Sequence, residues 1–478
     1  MPGALEAMLP IGARPRQLSV RTLFLGLLLA AADDRAAHLS RAHGALVALP
    51  RSDRLRLGVS VDWRGTEHLL TYRQVEYTFS LVVGALEKQP PDGMASDALG
   101  SVLDALIEAS VPEEVARATT SLAVDWSDQE TFARPPADSV SPGADPEASW
   151  GHRSAGVAQE DLFFGYFLSA ATMVADEGGP SVPELIRRIT LSSCHVDPVV
   201  AFVPVLETMA ASGVALGDVL CDSGYAHRRA EHWALPVRRA GGGLVMDLHP
   251  HDRGSRGTFG GAICFNGNLY CPATPKGLFD IEPLARGVSA EQAAAHDTRS
   301  AELARYKLGP ISAEDDDGYH RVMCPAAAGK VRCPRRERSM ALPFDRPQIS
   351  VPPDPAPRCC TSATLSVPPE VNAKTRQKHD YPSKSHRISY GRRTGVERSF
   401  ATLKDPASTD VTRGWCRLMG LTAIALLLGC AVVVRNERVL DAFEQRRTDE
   451  ARRAAAGLEP RTRRRRRRTT SDLIASAC

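Results

Sequence analysis

The stretch Tyr390-x2-Arg393-x3-Glu397-x6-Lys404 carries one acid among three donors. On an α-helix, at about 100° per residue, all four side chains project from a sector of about 60°. That set makes a poor surface ion-pair ladder. It makes a good edge against a phosphodiester, with a carboxylate for a metal ion and an arginine and a lysine for phosphate oxygens. Composition alone predicts about 0.02 such matches by chance. Gly391 and Gly395 weaken the start of the helix, which places Tyr390 at or just before it.

Elements must bring other groups to this edge. Two short strand patterns end on an acid. One runs from Thr120 to Asp125, and the other from Asp218 to Asp222, where Ser223-Gly224 turns the chain. Residues 1 to about 118 read as helical, with Leu25, Leu28, Leu29 and Ala32, then Leu99, Leu103, Leu106 and Ile107, at helical spacing. Residues 132–160 hold Pro135, Pro136, Pro142 and Pro146 and read as a loop. Leu162–Val174 is apolar with aromatics. Asp197-Pro198 looks like a helix cap followed by proline in the first turn, and Pro204 argues for a later start. Residues 241–388 are rich in Gly, Pro and Cys and read as an irregular, β-rich insertion. Helical patterning returns from Arg393 to Arg447, broken at Asp405-Pro406.

With 478 residues, 43% hydrophobic and 24% charged, the chain excludes wholesale disorder and allows about three domains. The basic run Arg463 to Arg468 belongs to a tail expected to be disordered. From Lys374 to Lys404 nine Lys and Arg face two acids, a net +7 against +3 for the whole chain, which is the footprint of a phosphate partner. Leu23–Ala32, preceded by Arg14, Arg16 and Arg21, reads as a buried helix rather than a signal peptide. The uncharged run Leu418–Val434 reads as a core helix rather than a membrane span.

Eleven cysteines begin only at Cys194, which fits unligated thiols better than a disulfide framework. Cys264-x6-Cys271 and Cys324-x8-Cys333 lack the spacing of structural zinc sites. His249-Pro250-His251-Asp252 reads as a polar loop, and Ser192-Ser193-Cys194-His195 as no catalytic pair. No G-x-S-x-G, P-loop or G-x-G-x-x-G is present, which counts against hydrolase, kinase and dehydrogenase chemistry.

The Tyr390, Arg393, Glu397, Lys404 register resembles the signature helix of DDE transposases of bacterial insertion sequences. Ser121–Pro135, Gly217–His227, Val371–Arg435 and the region from Gln17 look similar too, so the likeness covers most of residues 17–447. It implies an α/β fold with an RNase H-like mixed-sheet core. The implied plan is an N-terminal helical domain (1–118), a first part of the core (119–240), a β-rich insertion (241–388), a second part of the core (389–450) and the Arg-rich tail (451–478). It also implies that Asp125, Asp222 and Glu397 bind two Mg²⁺ ions, with Mn²⁺ as a substitute. The acids are 97 and 175 residues apart, and the longer gap has room for the insertion. Tyr390, Arg393 and Lys404 take the positions implied in handling DNA phosphates.

The implied partners are double-stranded DNA, as inverted-repeat ends and as target, and a second copy when assembled on DNA. The implied location is the bacterial cytoplasm, at the nucleoid and off the membrane. Elementary chemistry agrees with the triad: magnesium prefers hard oxygen ligands, and phosphoryl transfer asks of a protein mainly positioning and charge. Two rivals attend Asp125. Val61-Asp62-Trp63 repeats its tripeptide without a comparable strand, and Asp128 competes if the strand runs on. Asp222 has a turn-forming role as its simpler alternative. A catalytically inactive, DNA-binding relic of such an enzyme is the alternative for the whole chain.

Overall fold

The computed structural model describes residues 2–10, 16–33, 36–59, 66, 68–136, 143–153, 161–285, 287–315 and 317–460. Arg14, the rival Asp62, Pro142 and the run Arg463 to Arg468 lie outside them. The fold is mixed α/β. Its central sheet comprises β1 (Leu122–Glu130), β2 (Ser149–His152), β3 (Leu162–Met173), β4 (Ile186–Ser193), β5 (Asp218–Cys221) and β6 (Gly243–Met246). The order is β4-β3-β1-β5-β6, with β2 pairing the first residues of β3. β3 is antiparallel to β1 and β4, whereas β5 runs parallel to β1 and β6 parallel to β5.

The short apolar runs of β5 and β6 are buried on both faces, as parallel strands require. Side chains alternate across the sheet. Leu122, Val124, Val219 and Cys221 enter one core, with Phe202 and Leu206 of the helix Pro198–Ala211 and Val237 of the helix Ala234–Arg239. Asp197 caps the first of these helices by accepting from the Val199 N–H at 3.0 Å. Pro204 lies inside that helix, not before it. Val200, whose carbonyl loses its partner to the proline, is exposed to solvent, which makes the proline tolerable there.

Ala123 and Leu220 face the opposite core. That core contains Val396, Phe400 and Leu403 of the helix Thr394–Leu403 and the buried part of the helix Leu421–Ala455. It also takes in the N-terminal helices Val20–Ala32, Leu39–Ala48, Tyr72–Leu86 and Asp97–Glu108. The run Leu418–Val434 is therefore mostly interior, and among the described residues no helix is long and apolar enough to cross a membrane.

Within residues 241–388 two small three-stranded sheets form, β7 (Ser255–Phe259), β8 (Ala262–Phe265) and β9 (Asn268–Tyr270), and β10 (Gly309–Pro310), β11 (His320–Met323) and β12 (Leu365–Val367). Between them runs a helix, Ala290–Arg305, that a β-rich expectation overlooks. Its start is marked by a capping box: Gln292 N–H donates to the Ser289 hydroxyl at 3.1 Å, and Ser289 N–H to the Gln292 side chain at 2.9 Å. Cys271, Cys324 and Cys333 are buried in the small core beside it, and the described cysteines are free thiols.

Candidate active site

The parallel register of β1 and β5 sets Ala123 opposite Leu220. Two residues further along the chain from each come Asp125, still within β1, and Asp222, just past the end of β5. β1 does not stop at Asp125, as the strand pattern suggests. It continues to Glu130 because β3 pairs with it throughout, while β5 ends at Cys221. Asp125 is thus a mid-strand residue at the point where one neighbour leaves the sheet.

Asp222 caps the short helix Ser223–Ala226, its carboxylate accepting from the Gly224 N–H at 2.8 Å. It has a turn-forming role as well as its place beside Asp125. Gly224 is required by close approach: a Cβ there would lie 2.7 Å from Trp126 and 3.0 Å from the Asp222 carboxylate. The turn is therefore seated against the residue next to Asp125, and Trp126 and Tyr225 rings meet at 4.9 Å behind it.

Glu397 comes from the helix Thr394–Leu403, packed on the sheet face of Ala123 and Leu220 and preceded by a tight turn, Gly391–Arg393. Arg393 joins the acids. Its Nη1 donates to Asp125 Oδ2 at 3.0 Å, and its Nη2 donates to Glu397 Oε1. The other Asp125 oxygen accepts from the Trp126 N–H at 2.9 Å. The guanidinium lies 5.7 Å from the centre of the Tyr390 ring. Arg393 stands beside both Tyr390 and Glu397, but a tight turn separates the helix that ends at Tyr390 from the one that carries Glu397, so they do not lie on the single helix that the spacing predicts.

Burial, and then the charge of Asp222, push the Asp125 carboxyl up to about 7, with a smaller push from Glu397. Arg393 and the Trp126 N–H pull the other way. Burial opposes the charge on Arg393, but Tyr390, Asp125, Glu397 and Asp222 outweigh it and raise the arginine further. Among the described residues no group of three or more His, Cys, Asp or Glu stands close enough to hold a metal ion as placed. At this site the guanidinium lies between two of the acids. The donor set nonetheless suits magnesium: it is three hard carboxylates, with Asp125 raised first by burial and then by the charge of Asp222.

Lys404 does something other than its sequence position suggests. Its ammonium donates to Ser127 Oγ at 2.9 Å, to Asp128 Oδ1 at 2.8 Å and to the Asp128 carbonyl at 2.6 Å. Arg153 completes the Asp128 environment at 3.2 Å. Burial alone would raise the Asp128 carboxyl, but Lys404 and Arg153 hold it below the usual range. Asp128 anchors the end of the glutamate helix through Lys404, although the strand does run on to it.

The basic stretch is also altered by the fold. Lys374 pairs with Asp252, Arg376 with Glu314, Lys378 and Arg392 with Asp218, Arg387 with Asp297 and Arg398 with Glu184. The excess of +7 counted along the chain is compensated in space by acids from other segments. Arg392 is a residue that sequence reasoning missed. It reaches Asp218 Oδ2 at 2.6 Å and the Ala175 carbonyl at 3.0 Å, fixing the turn before Glu397 to the start of β5. The adjacent arginines and the acid that opens the second strand pattern were the available signal. Neither a family model, nor a curated protein, nor a solved structure matches this chain.

Proposed function

We propose that the protein is a DDE-type DNA transposase that cuts insertion-sequence ends and joins them to target DNA. The observation that carries this reading is that Asp125, Asp222 and Glu397, from three remote segments, come near enough for Asp222 and Glu397 to shift the Asp125 carboxyl, with one guanidinium bridging Asp125 and Glu397. The sheet supports an RNase H-like core: β1, β3 and β4 are antiparallel in turn, β5 and β6 run parallel to β1, and Asp222 lies just beyond the end of β5 with Asp125 alongside on β1. The charge excess of residues 374–404 no longer contributes to the argument, because most of it is paired.

Asp125, Asp222 and Glu397 would hold the magnesium ions, which supply an activated attacking oxygen and a stabilised leaving one. The protein's own residues do the positioning. β1 and β5 hold two acids side by side, and the packed helix brings the third. Arg393, with Tyr390 beneath it, offers a planar fork suited to phosphate oxygens. In the first reaction water attacks the phosphorus, and the bond to the 3′-oxygen breaks, leaving a free 3′-hydroxyl. In the second that hydroxyl attacks a target phosphorus and displaces the target's own 3′-oxygen.

The test is nicking of a duplex that carries the inverted repeats flanking the gene, with Mg²⁺ or Mn²⁺. Wild type should nick, and Asp222→Asn and Glu397→Gln should not. Salt-sensitive DNA binding without nicking under either ion would leave an inactive relic as the better description.

A further inference from the structure

Arg393 is placed to do more than meet a phosphate. Its two terminal nitrogens are divided between carboxylates from different elements, β1 and the glutamate helix. Its side chain is 15% exposed and that of Asp125 17%, so water screens this pair weakly. The oxygens it occupies are those a divalent ion would need, and an ion of that charge will not share them with a guanidinium at contact distance. Of the arginine's two carboxylate partners, Glu397 is the open one, with 48% of its side chain exposed against 17% for Asp125. An incoming phosphate would therefore meet the Nη2 edge first, where it can take the fork in a bidentate grip.

We propose that Arg393 is a built-in counter-ion that closes the acid cluster to divalent cations in the DNA-free protein, and that a DNA phosphate opens the cluster by drawing the guanidinium away. This rests on the transposase reading above and adds to it a regulation of the same site. DNA and metal then bind with positive coupling, each raising the affinity for the other by the same factor. Neither the free metal nor the free DNA alone assembles the site. Metal loading without DNA is suppressed by an interaction already present in the fold.

The test is Mn²⁺ binding to the full chain, read by electron paramagnetic resonance without DNA. Arg393→Ala and the neutral, similarly shaped Arg393→Gln should each bind Mn²⁺ roughly tenfold more tightly than wild type, a typical size for such coupling. Adding a mixed-sequence duplex should tighten Mn²⁺ binding to wild type and change it little in either variant. Asp222→Asn placed on top of Arg393→Gln should abolish the gain. Equal or weaker binding by both variants, with Asp222→Asn still abolishing it, would overturn the counter-ion role and leave the transposase reading standing. Mn²⁺ that binds no form of the chain, or that stays bound in Asp222→Asn, would overturn both.

Discussion

At the residue scale the acid on β1 is the most informative group. Asp125 carries a carboxyl raised to about 7 in the folded chain, by burial and by Asp222, against an ordinary 3.8. A raised acid binds its proton more tightly when folded, so its contribution favours folding below the unfolded value and fades as pH rises through the folded one. With divalent ions chelated, Asp125→Asn should be more stable than wild type at pH 8, by on the order of 1–4 kcal/mol. The gap should close toward pH 4, as followed by thermal melts across that range. Equal melting shifts at both ends would contradict the electrostatic account. Lys404 makes the opposite case. Lys404→Ala leaves a largely buried Asp128 carboxylate with Arg153 as its remaining cation and a long bond from the Ser127 hydroxyl, and should cost roughly 1–3 kcal/mol in urea unfolding. A lysine serving only to meet DNA would leave that stability unchanged. The types and spacing of Tyr390, Arg393, Glu397 and Lys404 were legible in the sequence. That Lys404 turns inward was not, because it depends on where β1 ends.

At the element scale, the sequence shows where a strand begins more plainly than where it stops. The pattern Leu122-Ala123-Val124 marks β1, but its last residues, Trp126 to Glu130, are held by the β3 register and carry little alternation of their own. The helix Ala290–Arg305 escaped notice because its face is mostly exposed and few apolar residues mark it, although its capping box was visible. The glutamate helix depends on one small residue. Gly395 is buried, and a Cβ there would lie 2.6 Å from Val174 Cγ1, just past the end of β3. Gly395→Ala should gain up to about 1 kcal/mol of helix propensity. Overpacking against β3 should cost about 1–3 kcal/mol. The net expectation is lower stability in urea, with Glu397 lifted off β1 and nicking reduced more than DNA binding. Unchanged nicking together with a stabilised fold would mean that the helix does not need its close seat.

At the scale of the whole molecule the sequence invites a division into a helical domain and a sheet domain, while the packing joins them. Side chains from the N-terminal helices, the sheet and the helix Leu421–Ala455 form one continuous core. Those contacts join residues hundreds apart and leave no local pattern, so they could not be read from the chain. The ion pairs that compensate residues 374–404 were hidden for the same reason. Asn436 is the sharpest expression of the junction. Fully buried in the long helix, it donates to the Ile186 carbonyl at 2.8 Å, accepts from the Ile186 N–H at 2.9 Å and reaches Ser110 Oγ at 3.1 Å. It therefore satisfies the first residue of β4 and Ser110, two residues past the helix Asp97–Glu108, with one amide. Asn436→Ala would strand both backbone groups of Ile186 away from water, at a cost of roughly 2–5 kcal/mol. If the core is one cooperative unit, amide hydrogen exchange should rise together in the helix Tyr72–Leu86 and in β5, neither of which touches Asn436 through these bonds. Faster exchange confined to one of them would show that the helices and the sheet unfold as separate bodies.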